Sequence, residues 1–288
     1  MNDILLLSGV LVKKIWGGNY FKDVLKITNE NEKYGELWSL SAIKDYDSII
    51  LNGKYKGLTL NEVYNLDKSL FANSEVLSFP TLIKIISAYD DLSVQVHPND
   101  EYALKNENSI GKTEGWLILS CEENSYIVYG HNAKDKEELK RKIDNNEYDT
   151  LLNKVKVKKG DFFKIPSGMI HAIGKGVTLL EIQQSSDITY RFYDYNRVDD
   201  NGNHRPLHIN KALDVTTYND DLSYENVFAL NKELIWKNEY LMVSVIYGNV
   251  KVKDTSLSLG NSFIITSNNT VKLLSENGKI VVSKYIGK

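Results

Sequence analysis

Gly160-Asp161-Phe162-Phe163-Lys164-Ile165-Pro166-Ser167-Gly168-Met169-Ile170-His171 reads as strand, tight turn and a histidine just past the turn. Asp161 to Ile165 is rich in aromatic and apolar side chains and predicts a short strand. Pro166 cannot donate to a central ladder, and Pro166-Ser167-Gly168 is a turn signal. Val177–Gln183 beyond it predicts the next strand. Outward in both directions the same alternation of short strand and turn continues. On the N-terminal side, residues 4–15 predict an opening strand closed by a turn at Trp16-Gly17-Gly18. Gly35 to Ser41 alternates as a strand, and Asn52-Gly53 is a hairpin signal. Leu60 to Phe71 has helical spacing at Val63, Leu66 and Leu70. Thr81 to Ser87 is an apolar strand interrupted by Lys84. Asp90 to His97 predicts a strand ended by Pro98, with a helix starting over Pro98 to Glu101. Trp116 to Leu119 predicts a strand with Tyr126–Gly130 as its hairpin mate, and residues 134–152 one or two helices.

On the C-terminal side come a strand over Ile188–Tyr193, a polar loop over 194–206 and a short helix over Ile209–Val215. From Glu225 to Lys288 short strands are separated by Gly248, Asn261, Asn268-Asn269 and Asn277-Gly278. Many short strands between turn signals predict an all-β sandwich or jelly roll with short helical insertions, not a parallel α/β sheet. The expected division is a catalytic part, 1–220, and a second, smaller β unit, 221–288, which has no histidine and a supporting role.

The chain has 288 residues, enough to bury a core without disulfides. Its 35 basic and 38 acidic residues nearly cancel, which argues against a general nucleic-acid binder. Cys121 is the single cysteine, so neither an internal disulfide nor a thiolate zinc cluster can form. Asp3 precedes Ile4-Leu5-Leu6-Leu7, and Lys13 and Lys14 cut that apolar run short, against a signal peptide or membrane segment. A cytoplasmic protein with no membrane partner is expected. No glycine-rich nucleotide motif is present.

The chemistry-bearing side chains gather in four stretches. In Ser93-Val94-Gln95-Val96-His97, alternation puts Gln95 and His97 on one strand face and the valines on the other. Lys112 and Glu114 have the same spacing at the start of the next strand. His171 follows its turn, and Glu181, Asp187 and Arg191 lie beyond. Two imidazoles and a carboxylate suit zinc, with a side-chain amide as a weaker neutral ligand. Spacing alone does not separate ligand from structural side chain at Gln95, His97, Glu114 and His171. His131, His204 and His208 are read as structural, and Lys84 either as an exposed lysine or as one facing a polar site.

The arrangement Gly160-x5-Pro166-x-Gly168-x2-His171 matches the second motif of the cupin superfamily up to its histidine, with Lys175 where that motif has asparagine. The first cupin motif is altered, carrying Gln95-x-His97 in place of His-x-His and its glutamate far downstream at Glu114. Those departures resemble the type I mannose-6-phosphate isomerases, or phosphomannose isomerases. The similarity runs through Leu92 to Asp100, Gly111-Lys112-Thr113-Glu114, Ile165 to Gly174 and Glu181 to Arg191. It extends to Trp16-Gly17-Gly18, Gly35-Glu36-Leu37-Trp38 and Asp194-Tyr195-Asn196-Arg197, and covers residues 10–215 in order. The chain resembles the short bacterial form, without a large helical insertion.

This resemblance implies a cupin jelly-roll barrel and one Zn2+ per chain held by Gln95, His97, Glu114 and His171. It implies interconversion of mannose 6-phosphate and fructose 6-phosphate through an enediol. Arg191 would stabilise the oxyanion, and Lys112 and Glu181 are the acid/base candidates, with Asp187 next. Lys84, Lys112 and Arg191 are the cations available to the substrate phosphate. Two other classes remain distinguishable. A cupin oxygenase would need oxygen and a redox metal, and a sugar-binding regulatory cupin would keep the pocket without turnover.

Overall fold

The structure is a computed structural model. It describes residues 3–199, 201–218, 220–223, 225–226, 239–267, 269, 271–275 and 277–284. The chain forms two compact units, each discontinuous in sequence: Met1–Val12, Asn19–Ile85 and Phe228–Lys288 make one, and Lys13–Gly18 and Ile86–Val227 the other. Both are built mostly from antiparallel strands with few, short helices.

The second unit contains every expected metal ligand. Its five-stranded sheet runs in the order Tyr190–Tyr193, Val94–Val96, His171–Ile173, Tyr126–His131, Leu152–Lys156. Alternate residues of these strands point to opposite faces. On the outer face Val94, Val96, Val128, Ala172, Tyr190 and Phe192 pack with Leu139, Ile143, Leu151, Ala212 and Leu213. Those five come from the helices Lys136–Asp144, Tyr148–Leu151 and Ile209–Val215, so the helical insertions cover one face of the sheet. The helix Lys136–Asp144 starts where Asp135 accepts from the Glu138 backbone N–H at 2.8 Å, and its Leu139 and Ile143, four apart, share the buried side.

Facing this sheet, Glu114–Cys121 pairs with Asp161–Ile165 on one side and with Val177–Gln184 on the other. Trp116, Ile118, Phe163, Ile165 and Leu179 from these strands meet Ile127, Tyr129 and Ile173 in a single buried cluster. Each such side chain contributes roughly 1.5–3 kcal/mol when fully buried. The polar site therefore sits in a face held on an apolar floor.

Three expectations are corrected here. Tyr126–His131 is not the hairpin mate of Glu114–Cys121: the connection over Glu122 to Ser125 leads into the other sheet. Beside it the chain crosses back between Ile173 and Val177, and the two crossings brace each other through Glu122 N–H to Gly176 O at 3.0 Å and Gly174 N–H to Tyr126 O at 3.0 Å. A side chain at Gly174 would put its Cβ 2.3 Å from the Tyr126 carbonyl, so only glycine permits this approach. Trp16-Gly17-Gly18 does not end a strand either; Val10–Gly18 runs through it. Gly18 is instead a close approach, since a Cβ there would lie 2.7 Å from Tyr89 Cβ. The expected strand over Asp90–His97 contracts to Val94–Val96, with Asp90 exposed and Asp91 half-buried.

In the first unit, Ile4–Leu6, Ser262–Ile265, Leu241–Tyr247 and Lys279–Ser283 form a four-stranded sheet in that order. Thr255–Ser258, Asn249–Val252 and Leu273–Leu274 form a three-stranded one. Ile4, Leu6, Val243, Val245, Val250, Val252 and Phe263 make its apolar cluster. The helix Leu60–Leu66 carries a reciprocal capping box between Thr59 and Glu62. Asn52-Gly53 opens a short 3-10 turn over Gly53–Tyr55 in place of a two-residue hairpin, with the Asn52 side chain bonded to Leu6 N–H and Ile4 O. The turn expected at Asn268 lies outside the described residues. Among the described residues no helix is long and apolar enough to cross a membrane.

Candidate metal centre and active site

Gln95 stands at the middle of Val94–Val96, with His171 opposite it on one neighbouring strand and Arg191 on the other. Directly opposed residues share a sheet face. Arg191, Gln95 and His171 therefore form a row across three strands on the inner face. His97, two residues after Gln95, follows on the same face. The Pro166–Gly168 turn is tied to it by Gly168 N–H to His97 O at 2.8 Å. Glu114 opens the facing strand, with Trp116 two residues on.

Three side chains converge. His97 Nε2 and His171 Nε2 are 3.1 Å apart, His171 Nε2 is 3.4 Å from Glu114 Oε1, and His97 Nε2 is 3.6 Å from Glu114 Oε2. All three are buried. The other ring nitrogens are fixed: His97 Nδ1–H donates to the Ile188 carbonyl at 2.8 Å and His171 Nδ1–H to the Met169 carbonyl at 2.9 Å. With the protons on Nδ1, both Nε2 atoms are bare acceptors aimed at each other and at a carboxylate. Three acceptors in a buried site repel unless a cation lies between them. Zinc bonds of about 2.0–2.1 Å in a tetrahedron hold their ligand atoms about 3.3 Å apart, which is the scale found. Burial pushes the His171 imidazole down to about 4, with the Lys112 charge adding to that and the Met169 carbonyl and Glu181 opposing it. His171 is thus neutral near pH 7, as a ligand must be.

Gln95 presents its Nε2 3.4 Å from His171 Nε2, and its Oε1 faces Ser93 Oγ at 3.5 Å. A half turn of the amide exchanges the two and offers the oxygen to the same centre. The four residues fit a divalent cation.

Around them the charges are ordered. Lys112 Nζ lies 3.2 Å from Glu114 Oε2, both buried. Trp116 sets its ring edge-on to His171, centroids 5.4 Å apart, and donates its Nε1–H to Glu181 Oε2 at 2.8 Å. Glu181 is buried and paired in register with Trp116, as Gln183 is with Glu114. Arg191 is partly buried, its Nε enclosed without a hydrogen bond, and it makes no ion pair among the described residues. Burial lowers its pKa, Arg205 adds to this and Asp194 opposes it. Asp194 is already engaged by Arg205 at 2.6 and 2.8 Å and by Arg197 at 2.5 Å.

Of the other expected site residues, Asp187 is exposed. Lys84 belongs to the first unit, buried, 3.8 Å from Glu36 Oε2 and 5.7 Å from the Trp38 ring centroid. His131, His204 and His208 bond to backbone groups of Thr217, Arg197 and Arg191, in keeping with structural roles. Sequence reasoning missed Trp116, although its i, i+2 spacing from Glu114 put it on that face. It also missed the Ile188 and Met169 carbonyls, for which a sequence carries no signal.

The family model for phosphomannose isomerase type I, catalytic domain, matches residues 4–148. Mannose-6-phosphate isomerase of Streptococcus mutans is 49% identical over 217 residues, 75% of this chain and 69% of that protein. The crystal structure of the mannose 6-phosphate isomerase from Bacillus subtilis is 34% identical with a TM-score of 0.89, covering 99% of this chain and 100% of that one. A further crystal structure, of a mannose 6-phosphate isomerase bound with zinc and yttrium, shares the fold at 15% identity and a TM-score of 0.74, over 99% of this chain and 100% of that one.

Proposed function

The chain belongs to the type I phosphomannose isomerase family and is an isomerase; on that premise we propose that it interconverts mannose 6-phosphate and fructose 6-phosphate through an enediol, with one bound zinc ion. The observation that carries the metal dependence is the convergence of His97, Glu114 and His171, with the Nδ1 atoms of the two histidines both tied to carbonyls. Gln95 completes the set. The choice of zinc rests on nitrogen and oxygen donors at tetrahedral spacing, and the zinc in the fold neighbour agrees with it.

When bound, the ion supplies a Lewis acid for the sugar oxygens at C1 and C2. This chain's residues do the rest. A base must take the proton from C2 and return it to C1. Glu181, held by the Trp116 N–H, is the carboxylate suited to that transfer. Lys112 exchanges protons with the sugar oxygens, and its charge offsets that of Glu114. Arg191 stabilises the negative charge of the enediolate. Within the second unit Lys112 and Arg191 are the candidates for the phosphate, and exposed Asp187 serves at most to relay protons to solvent. With a divalent ion, Lys112 and Arg191 against Glu114 and Glu181, the site has formal charge near +2, which favours an anionic sugar phosphate.

In architecture the reading is a cupin jelly roll, supported by the two facing antiparallel sheets and the crossings between them. Residues 221–288 support it without a catalytic group. The compartment is the cytoplasm, the partner a small sugar phosphate, and neither nucleic acid nor membrane takes part. The test is conversion of mannose 6-phosphate in deuterium oxide, with fructose 6-phosphate read by a coupled assay. Oxygen-independent turnover that places solvent deuterium on C1 of the product is expected. Turnover with complete retention of the substrate hydrogen would replace the enediol by a hydride shift, and a strict need for oxygen would replace the isomerase reading itself.

A further inference from the structure

Gln183 is buried, 3% exposed, and paired in register with Glu114. Its amide nitrogen is committed twice over. Nε2 donates to the Gln184 carbonyl at 2.8 Å and to the Ser186 carbonyl at 2.6 Å. The same Gln184 carbonyl accepts from Ser186 N–H at 2.7 Å, a three-residue turn in which one carbonyl serves both donors. Facing two carbonyls, the amide has one orientation: an oxygen in place of Nε2 would meet two acceptors. The Oε1 atom is enclosed and has no hydrogen bond among the described residues.

The turn that Gln183 clamps leads straight to a metal ligand. Ser186 Oγ donates to the Ile110 carbonyl at 3.1 Å and accepts from Ile188 N–H at 3.4 Å. Ile188 then offers its carbonyl to His97 Nδ1 at 2.8 Å. That carbonyl keeps the His97 proton on Nδ1 and Nε2 bare toward the centre. Groups that orient a metal-binding histidine in this way typically alter metal affinity about 10–100-fold when removed.

We infer that Gln183 is a positioning residue of the metal centre: its side-chain amide fixes the Gln184–Ser186 turn so that the Ile188 carbonyl holds His97 in its metal-binding tautomer. The inference rests on the metal reading given above and goes beyond it, since Gln183 is neither one of the proposed ligands nor one of the proposed substrate-binding groups. It also distinguishes two replacements. Gln183→Met keeps the length and loses the donor. Gln183→Glu places a carboxylate against two carbonyls and is the more damaging, since like partners repel in a buried site.

The experiment has two arms on the full chain. In the first, zinc is titrated against a chromophoric chelator for wild type, Gln183→Met, Gln183→Glu and Ser186→Ala. Zinc affinity is expected to fall about 10–100-fold in Gln183→Met, further in Gln183→Glu, and in the same direction in Ser186→Ala. In the second arm, nitrogen NMR of the metal-free protein reads the His97 ring. Wild type is expected in the Nδ1–H form and Gln183→Met in a mixture, with the His171 ring unchanged because Met169 still holds it. Folded variants with wild-type zinc affinity and an unchanged His97 tautomer would overturn the inference while leaving the metal centre standing. A wild type that binds no zinc overturns the metal reading instead, and the first arm reveals this before any variant is compared. If both Gln183 variants fail to fold, Ser186→Ala decides: wild-type affinity and tautomer there overturn the inference.

Discussion

Arg191 stands directly opposite Gln95 on the neighbouring strand, half-buried beside the three converging side chains. Alternation on its strand predicts Arg191 and Tyr193 on one face and Tyr190 and Phe192 on the other; the latter two are fully buried in the outer cluster, but a register shift after Arg191 brings Tyr193 against that cluster too, so Tyr193 does not share the Arg191 face. A structural arginine at a half-buried place would be paired with an acid. Asp194, the acid nearest in its electrostatics, is taken by Arg197 and Arg205, and Asp187 is exposed. A half-buried cation with no ion pair among the described residues suits, on the proposed reading, an anion that arrives with the substrate. Arg191→Ala is therefore expected to fold, to keep zinc and to lose kcat and kcat/KM together by about 10²–10³. Steady-state kinetics on metal-loaded protein checks this. A rise in KM with kcat within about threefold would assign the guanidinium to the phosphate. At this scale the gathering of His97, Glu114 and His171 was legible through the motif resemblance; a period of two places Gln95 with His97 and Lys112 with Glu114 but does not tell a ligand from a structural side chain. The carbonyls that fix the imidazole tautomers were not, since backbone groups have no sequence identity.

Among elements, the Pro166–Gly168 turn matters most, because it delivers His171 to the sheet and is hydrogen-bonded to the end of the His97 strand. Gly168 has φ +88°, and a Cβ there would lie 2.6 Å from Thr217 Cγ2 and 2.9 Å from the Val215 carbonyl. Left-handed backbone alone costs a non-glycine residue on the order of 1–3 kcal/mol, and the clash with Val215 adds to it. Gly168→Ala should lower stability by about 2 kcal/mol or more, read by urea denaturation of the metal-free protein. An unchanged midpoint would mean the turn relaxes freely and does not fix His171. The helix cap offers a control far simpler in kind. Thr59→Ala breaks the capping box of Leu60–Leu66 and is expected to cost about 1 kcal/mol, with turnover per folded molecule unchanged. Proline, glycine and alternation made the turn and most strands readable. The sheet switch after Cys121 was hidden, because a strand entering the opposite sheet alternates just as a hairpin mate does.

For the whole molecule, the C-terminal strands were legible as β structure, but their partner was not. Ile4–Leu6 pairs with Ser262–Ile265, a union of residues some 260 apart that no local pattern announces. Val243, Phe263 and Ile264 are fully buried. At roughly 1.5–3 kcal/mol each, the loss of this cluster rivals the 5–15 kcal/mol that typically separates folded from unfolded protein. A chain ending at Asp220 should therefore expose Ile4 and Leu6 and aggregate, as size-exclusion chromatography would reveal. A soluble fragment melting cooperatively at the wild-type temperature would refute the supporting role of residues 221–288. The proposed catalysis runs through one divalent ion held by Gln95, His97, Glu114 and His171. The most direct measurement is zinc content set against turnover, in wild type and His171→Ala, before and after chelation. One zinc per chain, activity lost with the metal and restored by it, and a folded His171→Ala that holds neither are predicted; full turnover by folded, metal-free protein would contradict the account.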